Sequence, residues 1–199
     1  MKKLFFATCM LLMTISASAQ VTWNSKLGLG FSSCTTSESD WEMKSHFVGK
    51  LGVGIEYPVS PNLSIMPSLE FAMKGAKGGS DEELSSTYIQ VPVMAAYRLN
   101  LNKDWNITLK VGPYFAYALS GKYKFGGYDF DIFSESDMGG SEYTGDRFDA
   151  GIDVGLDFEY HRYVFGVEYE HGFINFFPKM TGIPKVYNQA FYATVGYKF

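Results

Sequence analysis

The sequence predicts an all-β protein: a single eight-stranded antiparallel transmembrane β-barrel, wound as an up-and-down meander, after a cleaved signal peptide. Three observations carry this. Apolar and polar residues alternate with period two along eight segments, as in strands whose two faces meet different environments. The connections between those segments alternate between short and long. The apolar faces, finally, are too bulky to fit inside a barrel of that size.

The first residues set the compartment. Lys2 and Lys3 form a basic start, Leu4 to Ile15 an uncharged, mostly apolar run, and Ala17-Ser18-Ala19 the small residues that a signal peptidase needs. Residues 1–19 are therefore expected to leave, with Gln20 opening a mature domain over 20–199. Cys9 falls inside the apolar run rather than just after it, which argues against a lipoprotein. Loss of Lys2 and Lys3 moves the formal charge from −4 to −6, so nucleic acid is not an expected partner. Cys34 is then the one remaining cysteine, and no intramolecular disulfide is expected. After the signal, no charge-free apolar run approaches the roughly 18 residues of a membrane-spanning helix. An exported chain that crosses a bilayer without helices does so as a closed barrel.

The strands follow in order. The first three are expected at about 22–34, 45–58 and 63–76, with Gly28, Gly30, Gly52 and Gly54 on their polar faces. In the fourth, Thr87 to Asn100, one face holds Ile89, Val91, Val93, Ala95, Tyr97 and Leu99, and the other Gln90, Arg98 and Asn100. The fifth, Trp105 to Ser120, opposes Ile107, Leu109, Val111, Phe115, Tyr117 and Leu119 to Asn106, Thr108, Lys110, Tyr114 and Ser120. The sixth, 147–161, contains DAGIDVGLDFEY, one face purely apolar and the other acidic or glycine. The last two lie at about 163–175 and 188–199. Pro92 and Pro113 sit mid-strand, where proline removes a ladder donor, and are expected to mark bulges.

Short connections are expected at 58–62, 100–104 and 160–163, and long ones at about 34–45, 75–86, 121–146 and 176–188. Short turns at one end and long loops at the other suit an outer-membrane barrel with its turns and both termini in the periplasm.

Alternation alone also fits a secreted lipocalin-like barrel with its apolar face inward. Volume decides. The apolar faces carry roughly 40 large side chains, more than an eight-stranded interior can hold. The glycine-rich polar faces suit a narrow lumen, where missing side chains relieve crowding. Aromatic residues collect toward strand ends, as interfacial girdles require: Trp23, Tyr57, Tyr97, Trp105, Tyr160, Tyr163 and Tyr197 at one rim, Phe31, Phe47, Phe71, Phe148 and Phe173 at the other.

The segments YIQVPVMAAYRL (88–99), VGPYFAYALSGK (111–122) and FYATVGYKF (191–199) carry a resemblance to known proteins. Over the whole mature chain they resemble the eight-stranded outer-membrane barrels of the OmpX/OmpA-transmembrane type. They are more closely similar to the PorT-like "porin family" group of outer membrane protein beta-barrels. The resemblance implies an assembly signal at Phe191, Val195, Tyr197 and Phe199, read by the barrel-assembly machinery. It also implies two rival roles, a narrow porin-like channel for ions or small solutes and an accessory part in protein secretion.

With the polar faces inward, the lumen receives Lys26, Lys50, Lys74, Arg98, Lys110 and Lys198 against Glu56, Glu70, Asp149, Asp153, Asp157, Glu159, Glu168 and Glu170. Unpaired buried charge is costly, so a salt-bridge network plugging the bore is expected. No enzyme is expected: His46, His161 and His171 lack a serine constellation, and no metal cluster or cofactor motif is present. The oversized loop 121–146 offers Tyr123, Tyr128, Asp129, Asp131 and Phe133 as a candidate surface for an extracellular protein or glycan. Function is thus expected to be structural or loop-mediated binding, with outer-membrane lipid and lipopolysaccharide as the surroundings.

Overall fold

Nine strands and one helical turn follow one another along the described residues. They are β1 (Thr22–Thr36), β2 (His46–Pro58), β3 (Leu63–Lys77), β4 (Glu83–Asn100), β5 (Trp105–Phe125), β6 (Tyr128–Asp131), α1 (Glu135–Met138), β7 (Phe148–Tyr160), β8 (Tyr163–Gly172) and β9 (Val186–Lys198). This computed structural model describes residues 21–36, 44–78, 82–138, 140, 144–178 and 185–199. The expected signal segment, 1–19, lies outside them.

Each long strand pairs antiparallel with its neighbour, and β1 pairs with both β2 and β9, closing an eight-stranded meander barrel. The closing seam runs without a break from Asn24↔Lys198 to Thr36↔Val186. At one end, called here the turn end, β7 and β8 are joined by His161 and Arg162 alone. His161 takes the left-handed conformation (φ 52°) that a two-residue hairpin demands. The long connections gather at the other end, the loop end.

Alternation places the side chains as the sequence predicts. Leu27, Leu29, Phe31, Leu51, Val53, Leu109, Val111, Phe165 and Val195 stand exposed on the outside, while Lys50, Glu70, Asp153, Glu168 and Glu170 are buried inside. An apolar exterior around a charged interior inverts the usual arrangement and suits a barrel wall immersed in lipid.

Four differences from expectation have physical causes. First, β4 starts at Glu83 and β5 continues to Phe125, because Glu83–Ser86 and Gly121–Lys124 pair with each other; the ELSS segment carries no alternation of its own. Second, part of the loop 121–146 is strand, since β6 pairs back on β5 through a turn at Gly126 and Gly127, both at positive φ. Third, β8 stops at Gly172, before the expected 175. The Asn175 side chain accepts hydrogen bonds from the Phe177 and Val186 amides and turns the chain.

Fourth, the prolines do not make bulges. The register is the same on both sides of Pro92 and Pro113, and the irregularity sits at Thr87/Tyr88. What the prolines do is interrupt ladders. Ser68 and Leu69 lack partners on β4 opposite Pro92 and Val91, and Val93 and Met94 lack partners on β5 opposite Pro113 and Gly112. Pro67 interrupts the β2–β3 ladder likewise. The true bulge has its own consequence: Ser120, expected inside, is exposed, and Gly121 takes the inward place beneath Ile132.

Candidate functional site

The inward faces meet in three layers of charge. Nearest the turn end, Glu56 accepts hydrogen bonds from Arg98 Nη2 at 2.5 Å, Lys198 Nζ at 2.8 Å and Ser64 Oγ at 3.0 Å. Glu159 accepts from the same Lys198 at 2.8 Å and from Thr108 Oγ1 at 2.7 Å, with Arg98 Nε 3.3 Å away. Glu56, Arg98, Glu159 and Lys198 line an open vestibule of about 370 Å3.

The middle layer is the densest. Glu168 is held by Lys26 and Lys110, each at 2.8 Å, and by Lys50. Lys110 also reaches Asp157 at 2.7 Å, and Lys26 reaches Glu70 at 2.7 Å. Lys50, fully enclosed, extends to Glu170 at 3.0 Å and Glu70 at 3.6 Å. Gln90 donates to both of those carboxylates, at 2.9 Å and 3.1 Å. Asp153 lies among them, inaccessible, with neither oxygen accepting a hydrogen bond. Between this layer and the one below is a cavity of about 40 Å3, bordered by Lys26, Met66, Met94, Asp157 and Lys198.

In the layer toward the loop end, Lys74 pairs with Glu170 at 2.9 Å and approaches Asp149 at 3.5 Å. Tyr114 and Asn188 donate to Asp149 at 3.1 Å and 3.2 Å. The Lys74 ammonium stands 4.0 Å from the Tyr114 ring centroid, and that of Lys50 stands 4.5 Å from Tyr192, so aromatic faces share the cations. Glycine makes this density feasible. A Cβ on Gly52 would meet Glu70 Cγ at 2.7 Å, and one on Gly155 would meet Lys110 Cε at 2.9 Å.

Above the charges sits an apolar cap. Ile132 and Phe176 descend from two different loops to pack with Cys34, Ala76 and Val186, flanked by Leu84, Tyr123, Phe133 and Phe177. Backbone bonds stitch the loops together: Ile132 N to Gly121 O at 3.3 Å, Gly145 N to Ile132 O at 2.9 Å and Asp146 N to Phe176 O at 2.8 Å. The Arg147 guanidinium covers the Phe133 ring at 4.3 Å.

The structure thus brings together all twelve residues expected in the lumen network, Lys26, Lys50, Glu56, Glu70, Arg98, Lys110, Asp149, Asp153, Asp157, Glu159, Glu168 and Glu170, with Lys74 and Lys198. The five loop residues do not form one surface. Tyr128, Asp129 and Asp131 are exposed, whereas Tyr123 and Phe133 pack against the cap. The loop folds back over the mouth, which turns Tyr123 and Phe133 toward the cap and leaves both partly buried. Phe191, Val195 and Phe199 face outward and exposed, and Tyr197 is half-buried between Tyr163 and Phe199. The histidines stand apart: His46 near Glu83, His161 near Asp104 and His171 between the Tyr169 and Phe173 rings. Sequence reasoning missed the cap and the inward roles of Tyr88 and Tyr192. Two apolar pairs inside polar loops, Ile132-Phe133 and Phe176-Phe177, are the signal that could have found the cap.

Comparison with known proteins agrees with this geometry. Among solved structures, Neisserial surface protein A (NspA) is similar at a TM-score of 0.51 and 12% identity, over 89% of this chain and 97% of that one. Ail, the attachment invasion locus protein of Yersinia pestis, is similar at 0.47 and 12%, over 89% and 98%. The outer membrane enzyme PagL follows at 0.49 and 9%, over 87% and 98%. No curated protein matches the chain. The family described as "Outer membrane protein beta-barrel domain" matches residues 16–178, and the chain, an eight-stranded transmembrane barrel of the outer membrane, belongs to that family.

Proposed function

We propose that the protein is a closed, non-conducting, non-catalytic barrel, set with its turn end and both termini in the periplasm, that acts structurally or as a binding protein through its loop end. One observation carries the reading. The ion-pair network crosses the bore at three heights, and an apolar cap lies over it. An ion crossing this path would have to part several buried pairs at once, and exposing an unpaired charge in a dry interior costs several kcal/mol, on the order of 3–5 per broken pair. Tyr128, Asp129 and Asp131 offer the accessible surface for an extracellular protein or glycan. The outward-facing Phe191, Val195 and Phe199, with Tyr197, suit recognition by the barrel-assembly machinery.

A second reading, a narrow channel, is favoured by the turn-end vestibule and by the small cavity that follows it into the bore. Single-channel recording of the refolded protein in a planar bilayer separates the two. The plugged barrel is expected to give no steady conductance, in the wild type and in Asp153→Ala alike. Defined openings in the wild type, with selectivity that shifts in Asp153→Ala or Lys50→Ala, would make the lumen a transport path.

A further inference from the structure

The bore opens at the turn end into the vestibule, a bowl that the loop-end surface does not use. Its polar wall is Glu56, Arg98, Asn106, Glu159 and Lys198, with His161 at the lip. At about 370 Å3 it falls at the small end of ligand pockets, which span roughly 300–1,000 Å3.

Hydrogen-bond capacity on this wall is lopsided. The acceptors are largely spent. Glu56 takes hydrogen bonds from Arg98, Lys198 and Ser64, and Glu159 takes them from Lys198 and Thr108. The donors are not spent. A guanidinium carries five N–H groups, yet among the described residues Arg98 donates through Nη2 alone. Its Nε lies 3.3 Å from Glu159 but is aligned too poorly to donate. The Lys198 ammonium, with three hydrogens, donates to Glu56 and Glu159 only.

Access follows the same division. The Arg98 side chain is 26% accessible, against 0% for Lys50 and 1% for Lys74, so it is the lumen cation that an incoming molecule meets first. Arg98 is in register with Thr108, and Asn106 lies two residues from Thr108 on the same face, nearer the turn end. Such diagonal neighbours stand about 7–8 Å apart, within reach of one small group held between their side chains.

The charges of the wall cancel, Arg98 and Lys198 against Glu56 and Glu159. A cation entering the bowl would find both glutamates engaged and the guanidinium in its way. A group with a single negative charge would find unspent N–H donors. A doubly charged phosphate would draw on the same donors but meet twice the repulsion from Glu56 and Glu159.

We propose that the vestibule binds a carboxylate, that of a peptide C-terminus or of a small organic acid, on the Arg98 guanidinium, with Asn106 and Lys198 completing its hydrogen bonds. The site lies at the opposite end from the loop-end surface and goes beyond that reading. The orientation of the barrel decides only which compartment supplies the ligand.

The test uses the 15N-labelled mature chain refolded into nanodiscs. The probes are N-acetyl-dialanine, its C-terminal amide, succinate and inorganic phosphate, each at about 10 mM, where a site of millimolar affinity is mostly filled. The readouts are the Arg98 Nε–H and Asn106 side-chain amide resonances. N-acetyl-dialanine or succinate is expected to shift both, and the amide neither. A shift from the peptide alone assigns a peptide terminus and one from succinate alone a free acid, and either supports the site. Asn106→Leu, at a position outside the ion pairs, is expected to weaken binding roughly tenfold, the loss of one hydrogen bond to a charged group. Arg98→Gln is expected to abolish binding, while Glu56 keeps Lys198 and Ser64. No shift from any probe, or equal shifts from the amide, overturns the site. Equal shifts from phosphate overturn the choice of carboxylate. Wild-type affinity in Arg98→Gln overturns the anchoring role of Arg98, and in Asn106→Leu the share given to Asn106.

Discussion

Replacing Lys50 by methionine removes one charge and little volume from the centre of the bore. Lys50 is enclosed and shared by Glu168, Glu170 at 3.0 Å and Glu70 at 3.6 Å. Removing one partner of a buried ion pair typically costs about 3–5 kcal/mol, because the partner left behind remains charged and dry. Here the carboxylates keep other donors. Glu168 retains Lys26 and Lys110, Glu170 retains Lys74 and Gln90, and Glu70 retains Lys26, Ser68 and Gln90. The expected loss therefore falls at the lower end, about 3 kcal/mol. Asp153→Asn makes the comparison sharp. Neither Asp153 oxygen accepts a hydrogen bond, so this change relieves an uncompensated charge, and its expected effect is neutral or stabilising by about 1 kcal/mol. The assay is reversible urea unfolding of the refolded barrel in lipid vesicles, followed by the fluorescence of its three tryptophans, Trp23, Trp41 and Trp105. If Lys50→Met falls within about 1 kcal/mol of wild type, or if Asp153→Asn costs as much as Lys50→Met, the network is not what holds the lumen together.

Two further outcomes follow from the cap and the ladders. Cys34 is buried beneath Ile132 and Phe176, so Phe176→Ser is expected to speed maleimide labelling of Cys34 roughly tenfold by local opening; an unchanged rate by mass spectrometry would mean that something other than the cap shields it. The interrupted ladders at Ser68, Leu69, Val93 and Met94 are expected to exchange amide hydrogens roughly tenfold faster than Leu27 and Leu29 on the unbroken β1–β9 seam. Uniform protection around the wall would refute that.

Much of this architecture was legible in the residues. Period two located eight strands, and parity alone put Lys50, Asp153 and Glu168 on one surface. The pairing was not legible. Lys26 on β1 meets Glu168 on β8, across β9, and such partners depend on the stagger at which the sheet closes, which no single strand encodes. The bulge at Thr87/Tyr88 reversed the parity of Ser120 for the same reason: a one-residue slip lies in the relation between strands, not within either. The cap was hidden differently, because Ile132 and Phe176 lie in aperiodic loops where only tertiary contact gives them a direction.

The uneven distribution of lumen charge has a consequence for how the sheet closes. On inward faces, β1 to β5 carry five cations and two carboxylates, and β7 to β9 carry one cation and six carboxylates. An unclosed sheet is therefore two limbs of opposite sign, about three charges positive and five negative. Curling brings unlike limbs together, whereas a second copy that offered its matching limb would meet repulsion. Salt reaches the limbs while they are open, yet hardly touches the pairs once the bore has sealed them from solvent. The attraction therefore acts across the bore, between β1–β5 and the acidic β7 and β8, while the two strands that meet at the seam, β1 and β9, each bring one inward lysine, Lys26 and Lys198, to carboxylates on other strands.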